Sequence, residues 1–430
     1  MNRSLACSIF RIVPIFLLLG WLSPCFAQDT DGISLTQAYK AVAETYPLTK
    51  NRDLYDSLLQ VQNRGVNRQR LPQLNLLGEG AYQSETLKAP ASVPFPLNVP
   101  RYSYRAYGEL EWTLYEGGKL NTEIRKNERE NDVSQKQLAV DLYSLKDRVN
   151  TLFFSILLAR AQESMLQTSL ADIQSQIQTV QARFEHGAAL ESELSKLKVR
   201  KLELEADFQD LEGTISAQSG VLRELSGLQV DADTPLFLPV IGDLNFRDSV
   251  LRPEVALYEA RASELETDKA MVRATKLPRI SAFAQGGYSD PNRFNLFDTE
   301  GKEFAMGGVR LRWNLFDWGV AKSKRSELDI RETTLEHQKE TFVHNIATRQ
   351  SEFERNSKKI REKIQKDTEI AALQKDILEQ YAAQLEHGVI NVTDYLIQLN
   401  AELRARLQLE IDKIEWQRLQ VNYLTLFGKL

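Results

Sequence analysis

Four histidines and two cysteines are the residues of this 430-residue chain best suited to chemistry. His186 and His387 each stand in a Glu-His-Gly triplet, Glu185-His186-Gly187 and Glu386-His387-Gly388. Paired imidazoles could bind a metal or sense pH, although a histidine beside a glycine reads first as an exposed turn residue. His337 and His344 lie seven residues apart, about 10 Å along a helix, too far to share one ion. Cys7 and Cys25 both fall close to the N-terminus. The sequence has no phosphate-cradling glycine loop, no Gly-x-Ser-x-Gly nucleophile turn and no metal-spaced histidine pair. We therefore expect no enzyme, no cofactor and no metal, and the work of the chain must lie in the shape of its elements.

The first 27 residues read as a secretory signal. Arg3 and Arg11 precede the apolar run Ile12 to Leu22, which ends in Ser23-Pro24-Cys25-Phe26-Ala27. That is a basic start, a short apolar core and a small-residue exit. About eleven apolar residues are too few to span a membrane as a helix. Leu22-Ser23-Pro24-Cys25 also has some likeness to a lipoprotein box, but Pro24 stands where a small residue is expected. Cleavage after Ala27 removes both cysteines, which excludes disulfides and thiolate metal sites from the mature chain. It also removes two arginines and no acid, taking the formal net charge from -5 to -7. An acidic balance gives no reason to expect nucleic acid.

The chain is organised around a long helical run. Leu138, Leu142, Leu145, Val149, Leu152, Ile156 and Ala159 alternate in steps of four and three. The beat resumes in phase at Leu166, Leu170, Ile173, Ile177, Val180 and Phe184. A 3.5-residue period belongs to helices that supercoil around neighbours. No Pro or Gly interrupts Lys119 to Phe184, a rod of about 100 Å. Gly187 caps it, and a return helix follows with Leu190, Leu194, Leu197, Leu204 and Leu222.

Before the rod, the period falls to two. Leu74, Leu76 and Tyr82 share one face of a strand, with Asn75 and Glu79 on the other. After a proline-rich loop (Thr86 to Arg101), Tyr104, Leu110 and Trp112 alternate with Arg105, Glu109 and Glu111. Each strand has the length that crosses an outer membrane when tilted. The whole arrangement then recurs after a connector, Gly227 to Phe246. Val309, Leu311 and Trp313 alternate with Arg310 and Arg312, and a second uninterrupted helix ends at Gly388. Pro47 and Pro253 are 206 residues apart, as are Pro72 and Pro278; Trp112 and Trp313 are 201 apart, as are Gly187 and Gly388. Two constant offsets on either side of one loop indicate an internal duplication.

The resulting plan is a signal peptide (1–27), a first repeat (28–227) with a strand pair over 73–115 and a helical hairpin over 119–226, and a connector (228–247). A second repeat (248–430) has a strand pair over 279–316 and a helical hairpin over 320–427. Four strands with one apolar and one polar face match the lipid-out, water-in pattern of a transmembrane barrel. They leave two bare edges, which lipid does not tolerate, so closure requires other chains. The competing reading is a secreted periplasmic coiled-coil structural or adaptor protein with a small soluble sheet.

The ordered, duplicated set of motifs resembles the TolC-like outer membrane factor (outer membrane efflux protein) family. The likeness is carried by the Leu-Pro strand starts, Arg252-Pro253-Glu254, the strand exits Tyr115 to Gly118 and Phe316 to Gly319, the Glu-His-Gly turns and Asp394-Tyr395-Leu396. The resemblance implies a mixed α and β membrane protein with an internal two-fold repeat. In it, four strands per protomer complete a trimeric 12-stranded outer membrane β-barrel. Long antiparallel coiled-coil helices continue that barrel as a periplasmic α-barrel. It implies the outer membrane of a Gram-negative bacterium, extending into the periplasm. It also implies a passive exit duct for a tripartite efflux pump or type I secretion system. The partners would be outer membrane lipid, a periplasmic adaptor (membrane fusion) protein and an inner-membrane pump of RND, ABC or MFS type.

By the same resemblance, Glu193 and Asp394, each six residues past a turn glycine, would ring the periplasmic aperture. Gly187, Ala188, Ala189, Gly388, Val389 and Ile390 would form the adaptor-docking tips. Arg105, Glu109, Glu111, Arg310 and Arg312 would face the lumen, and Tyr104, Leu110, Trp112, Val309, Leu311 and Trp313 the lipid. The family's tyrosine and arginine latch falls on Leu385 and Ile390, and a further acid position on Ile397, so that latch looks absent.

Overall fold

A computed structural model describes residues 32–86, 99–242, 249–295 and 298–430. The signal segment with Cys7 and Cys25, most of the proline-rich loop (87–98) and the end of the connector (243–248) lie outside the described residues.

The chain opens with a two-residue strand, β1 (Ile33–Ser34), and helix α1 (Leu35–Thr45). Ser34 caps α1 reciprocally: its Oγ accepts from the Gln37 amide at 3.2 Å, and Gln37 Oε1 accepts from the Ser34 amide at 2.8 Å. This satisfies two donors that a helix start leaves open. A short 3-10 turn at Pro47–Lys50 leads into α2 (Asn51–Arg68). Strands β2 (Gln73–Tyr82) and β3 (Tyr102–Glu116) follow, then α3 (Lys119–Glu185) and α4 (Glu191–Ser226). After β4 (Leu236–Phe237) come α5 (Pro253–Ala274), β5 (Arg279–Asp290), β6 (Lys302–Arg312), α6 (Val320–Glu386) and α7 (Val392–Phe427). Helices α3 and α6 have 67 residues each, and α4 and α7 have 36 each.

The four long strands form one antiparallel sheet in the order β2-β3-β5-β6. The central ladder, Tyr104 against Asp290 through Glu116 against Arg279, joins the two halves of the chain. Strands β2 and β6 are the edges. One expectation needs correction. The last strand stops at Arg312, opposite Arg279. Residues 313–316 therefore lie beyond it: β5 starts only after Pro278, so they have no opposite strand. Trp313 is held instead by its indole N–H, which donates to the Lys276 carbonyl at 3.0 Å. Trp112 does the same to the Arg70 carbonyl at 2.9 Å. Within the connector, β4 pairs in parallel with β1, Ile33 opposite Leu236.

Apolar packing falls into separate clusters along the rods. One sets Leu35, Tyr39 and Val42 of α1 against Val149, Leu152, Phe153 and Ile156 of α3, with Ile215 and Leu222 of α4. A second, toward the helical turns, gathers Ile173 and Val180 of α3, Leu194, Leu197 and Leu204 of α4, and Leu385, Tyr395 and Leu399 of α6 and α7. Phe153, off the seven-residue beat, is buried because α1 covers that side of α3. We predict that Phe153→Ala costs about 3–5 kcal/mol through the cavity it leaves, read as a lower denaturant midpoint. Phe184→Ala, at a side chain 38% exposed, should cost clearly less.

Candidate functional site

The two helical turns are built alike. His186 and His387 end α3 and α6, and Gly187 and Gly388 follow with φ of 73° and 72°. The Gly187 amide donates to Phe184 at 2.9 Å and the Ala188 amide to Arg183 at 2.7 Å. The Gly388 and Val389 amides repeat this toward Leu385 and Gln384 at 3.0 and 2.8 Å. This paired closure satisfies the last carbonyls and needs a left-handed residue, hence glycine. At Gly388 the missing side chain also leaves room for the Arg183 guanidinium.

Glu193 and Asp394 both sit at the third position of a return helix, where a carboxylate favours the positive end of the helix dipole. Leu190 precedes α4 and offers no side-chain acceptor. Only half of a reciprocal cap forms there: Glu193 Oε2 accepts from the Leu190 amide at 3.4 Å. Asn391 precedes α7 and accepts from the Asp394 amide at 3.1 Å. Both acids are half-buried. Of the proposed docking residues, Ala188 and Val389 are exposed. Ala189 and Ile390, expected to be exposed as well, are half-buried against the apolar cluster behind the turns. Leu190, at the end of the first turn, is exposed at 68%. His186 and His387 are exposed, and no metal-holding group of three ligands exists among the described residues.

Residues that sequence reasoning missed tie the hairpins together. Arg183 at the end of α3 donates to the Leu385 carbonyl at the end of α6. Lys196 Nζ on α4 donates to Thr393 Oγ1 on α7 at 2.8 Å. Both lie within a few residues of the turns. Their signal in the sequence was only a cation one residue before Phe184 and another nine past Gly187.

The sheet presents two chemically different faces. Leu74, Leu76, Tyr104, Leu110, Trp112, Val309 and Leu311 share one face and stand exposed. The opposite face is laced with ion pairs. Arg105 Nε donates to Glu79 at 2.6 Å, Arg279 lies 3.6 Å from Glu111, and Arg310 lies 3.8 Å from Glu109. Arg312 stands opposite Arg279 on that same face.

The outer membrane efflux protein profile matches residues 59–227 and again 250–428. The chain belongs to the outer membrane efflux protein family. This is a family of channel proteins, not of enzymes. Its fold is similar to that of the outer membrane protein VceC of Vibrio cholerae (14% identity, TM-score 0.66, covering 92% of this chain and 96% of that one). It is also similar to the Campylobacter jejuni CmeC outer membrane channel (15%, 0.66, 100% and 94%). The Neisseria gonorrhoeae MtrE outer membrane channel in its open state is similar too (15%, 0.62, 92% and 88%). Among curated proteins, nothing matches the sequence at a significant level. No described helix is long and apolar enough to cross a membrane.

In this family member a second polar seam joins α3 to α7 behind the turns. Arg406 Nη2 donates to Ser169 Oγ at 3.3 Å, and its Nε lies 3.4 Å from Glu402. Glu402 is 5% exposed. Burial raises its pKa from the ordinary 4.5, against the opposing pull of Arg406. Burial likewise raises Asp172 on α3 above 3.8. The folded chain thus holds these protons longer than the unfolded chain. Their contribution to stability is greatest below the ordinary values and is lost as pH climbs through the raised ones. Glu402→Gln should flatten that decline in melting temperature across pH. Arg183→Met should leave the fold intact while speeding amide exchange at 385–394 roughly fivefold, the equivalent of one hydrogen bond of about 1 kcal/mol.

Proposed function

We propose that this chain is one third of a trimeric channel-tunnel in the outer membrane of a Gram-negative bacterium. Its four strands would supply a third of a twelve-stranded barrel, and its two helical hairpins a third of a periplasmic tunnel. The carrying observation is the sheet itself: an exposed apolar face, an ion-paired opposite face and two unpaired edges, attached to helices of about 100 Å. Tyr104, Leu110, Trp112, Val309 and Leu311 would meet lipid, with Trp313 at the periplasmic boundary. Arg105, Glu109, Glu111, Arg310 and Arg312 would line water. The duplicated lengths of the hairpins fit a two-fold internal repeat.

On this reading the protein is a passive duct for a tripartite efflux pump or a type I secretion system. An inner-membrane pump of RND, ABC or MFS type supplies the energy. A periplasmic adaptor docks at the turns, where Ala188, Leu190 and Val389 offer apolar surface to its helices, with Gly187 and Gly388 setting the shape. Three copies each of Glu193 and Asp394 would ring the mouth with carboxylate, which binds cations and repels anions. No bond is made or broken in the duct, and its only task is to open.

Reconstituted in a planar bilayer, the purified full chain should give discrete, cation-preferring conductance and migrate as a trimer. Asp394→Asn should lower the cation preference, measured as a reversal potential across a salt gradient. A freely soluble monomer without conductance would end the channel reading, and an unchanged reversal potential would remove Asp394 from the aperture.

A further inference from the structure

One row of the sheet breaks the pattern of charge on the ion-paired face. Tyr107, Gly287 and Phe304 stand in register across β3, β5 and β6. The rings of Tyr107 and Phe304 pack with centroids 6.0 Å apart, and they are 6% and 8% exposed. A side chain at position 287 would collide with the Ala106 carbonyl and with Tyr107 Cα and Cβ, so the close approach of β3 to β5 at this row needs glycine. The segment after β5 adds two groups to this base. Phe294 stands edge-on to Phe304 at 6.1 Å and 72°. The Arg293 guanidinium sits 5.6 Å from the same ring.

Both added groups are exposed, Phe294 by 61%. Charge separates Arg293 from its neighbours. Arg105 stacks on Tyr107 but is paired with Glu79, and Arg310 stacks on Phe283 but faces Glu109. No carboxylate among the described residues pairs with Arg293. An uncompensated guanidinium beside an open phenyl, both anchored on a buried aromatic base, offers a plane and a positive charge together. Such a pair recognises a flat π-system bearing an anionic group.

We propose that this shelf, at the loop end of the polar face, is a retention site for planar aromatic anions. It rests on the channel reading for its location: that end of the strands is opposite the helices, so the shelf would stand at the outer mouth of the lumen. An aromatic anion reaching the outer mouth would be held there by stacking on Arg293 and Phe294. An aliphatic anion of equal charge would find only the guanidinium.

The test compares 1-naphthalenesulfonate with ethanesulfonate on the reconstituted full chain. Naphthalenesulfonate should block the current at roughly tenfold lower concentration, the gain expected from ring stacking. Arg293→Gln and Phe294→Leu should each shrink that ratio several-fold. Equal block by the two sulfonates, or a ratio unmoved in both variants, would overturn the site while leaving the channel standing. If no conductance is seen at all, the channel reading fails by itself. Saturation-transfer NMR on the detergent-solubilised chain then decides the shelf: naphthalenesulfonate signal lost in Arg293→Gln supports it, and signal absent or unchanged ends it.

Discussion

Bare backbone at the rims of β2 and β6 is the constraint from which most of this architecture follows. Three ladders pair the strands inside the sheet, with one register shift between Thr113 and Tyr115, and the two outer rims have no partner strand among the described residues. Water could solvate those rims, but the same water would wet Leu74, Leu76, Val309 and Leu311, which are 64–87% exposed in the single chain. Lipid would accept the leucines and reject the rims. One chain cannot meet both demands, and a sheet closed by further copies can. The helices point the same way. Helix α6 buries four of its 67 residues, and α2 leaves Leu54, Leu58 and Val61 in an uncovered row.

How the protomer is held together changes along its length. At the sheet, the β3–β5 ladder locks the two halves by backbone pairing with one register shift between Thr113 and Tyr115, and the indoles of Trp112 and Trp313 donate to the Arg70 and Lys276 carbonyls just past α2 and α5. Midway along α3, α1 and the short β1–β4 pair pack against α3 and α4. Toward the turns, the halves meet through α3 against α7, with the Arg406 seam and the Arg183 and Lys196 bonds. Each such side-chain bond contributes on the order of 1 kcal/mol net. A ladder opens only cooperatively, whereas these bonds can exchange with water one at a time. On the proposed reading, the turn end is therefore where the hairpins separate most readily and where the duct would open.

Periodic features were legible in the sequence, and contacts between non-periodic residues were not. The 3.5-residue beat marks Leu138, Val149, Leu152, Ile156, Ile173 and Val180, all of which the structure buries. Alternation over Tyr104 to Trp112 separates the two faces that the register then aligns across four strands. A two-residue parallel pair has no period to detect, so β1 and β4 were invisible. Trp313 kept the alternation going past Arg312, although strand pairing depends on the partner's start and not on the residue itself. Ala189 and Ile390 looked exposed because turn residues usually are, and the cluster beneath them is assembled from four helices. Arg183 gave no pattern at all: its partner is a backbone carbonyl 202 positions away.

The two turns, near-copies in sequence, are not equivalent in charge. Leu190 cannot cap α4, so the Glu193 carboxylate turns back to the Leu190 amide. Asn391 caps α7 from the other side by taking the Asp394 amide, and no hydrogen bond to the Asp394 carboxylate occurs among the described residues. A carboxylate that accepts from its own helix start has part of its charge answered locally. One released from that duty keeps its field for whatever passes. On the proposed trimer, the ring formed by Asp394 would act on ions more strongly than the ring formed by Glu193. The asymmetry has two sources in the repeats: leucine against asparagine in the cap position, and glutamate against the shorter aspartate at the third helix position.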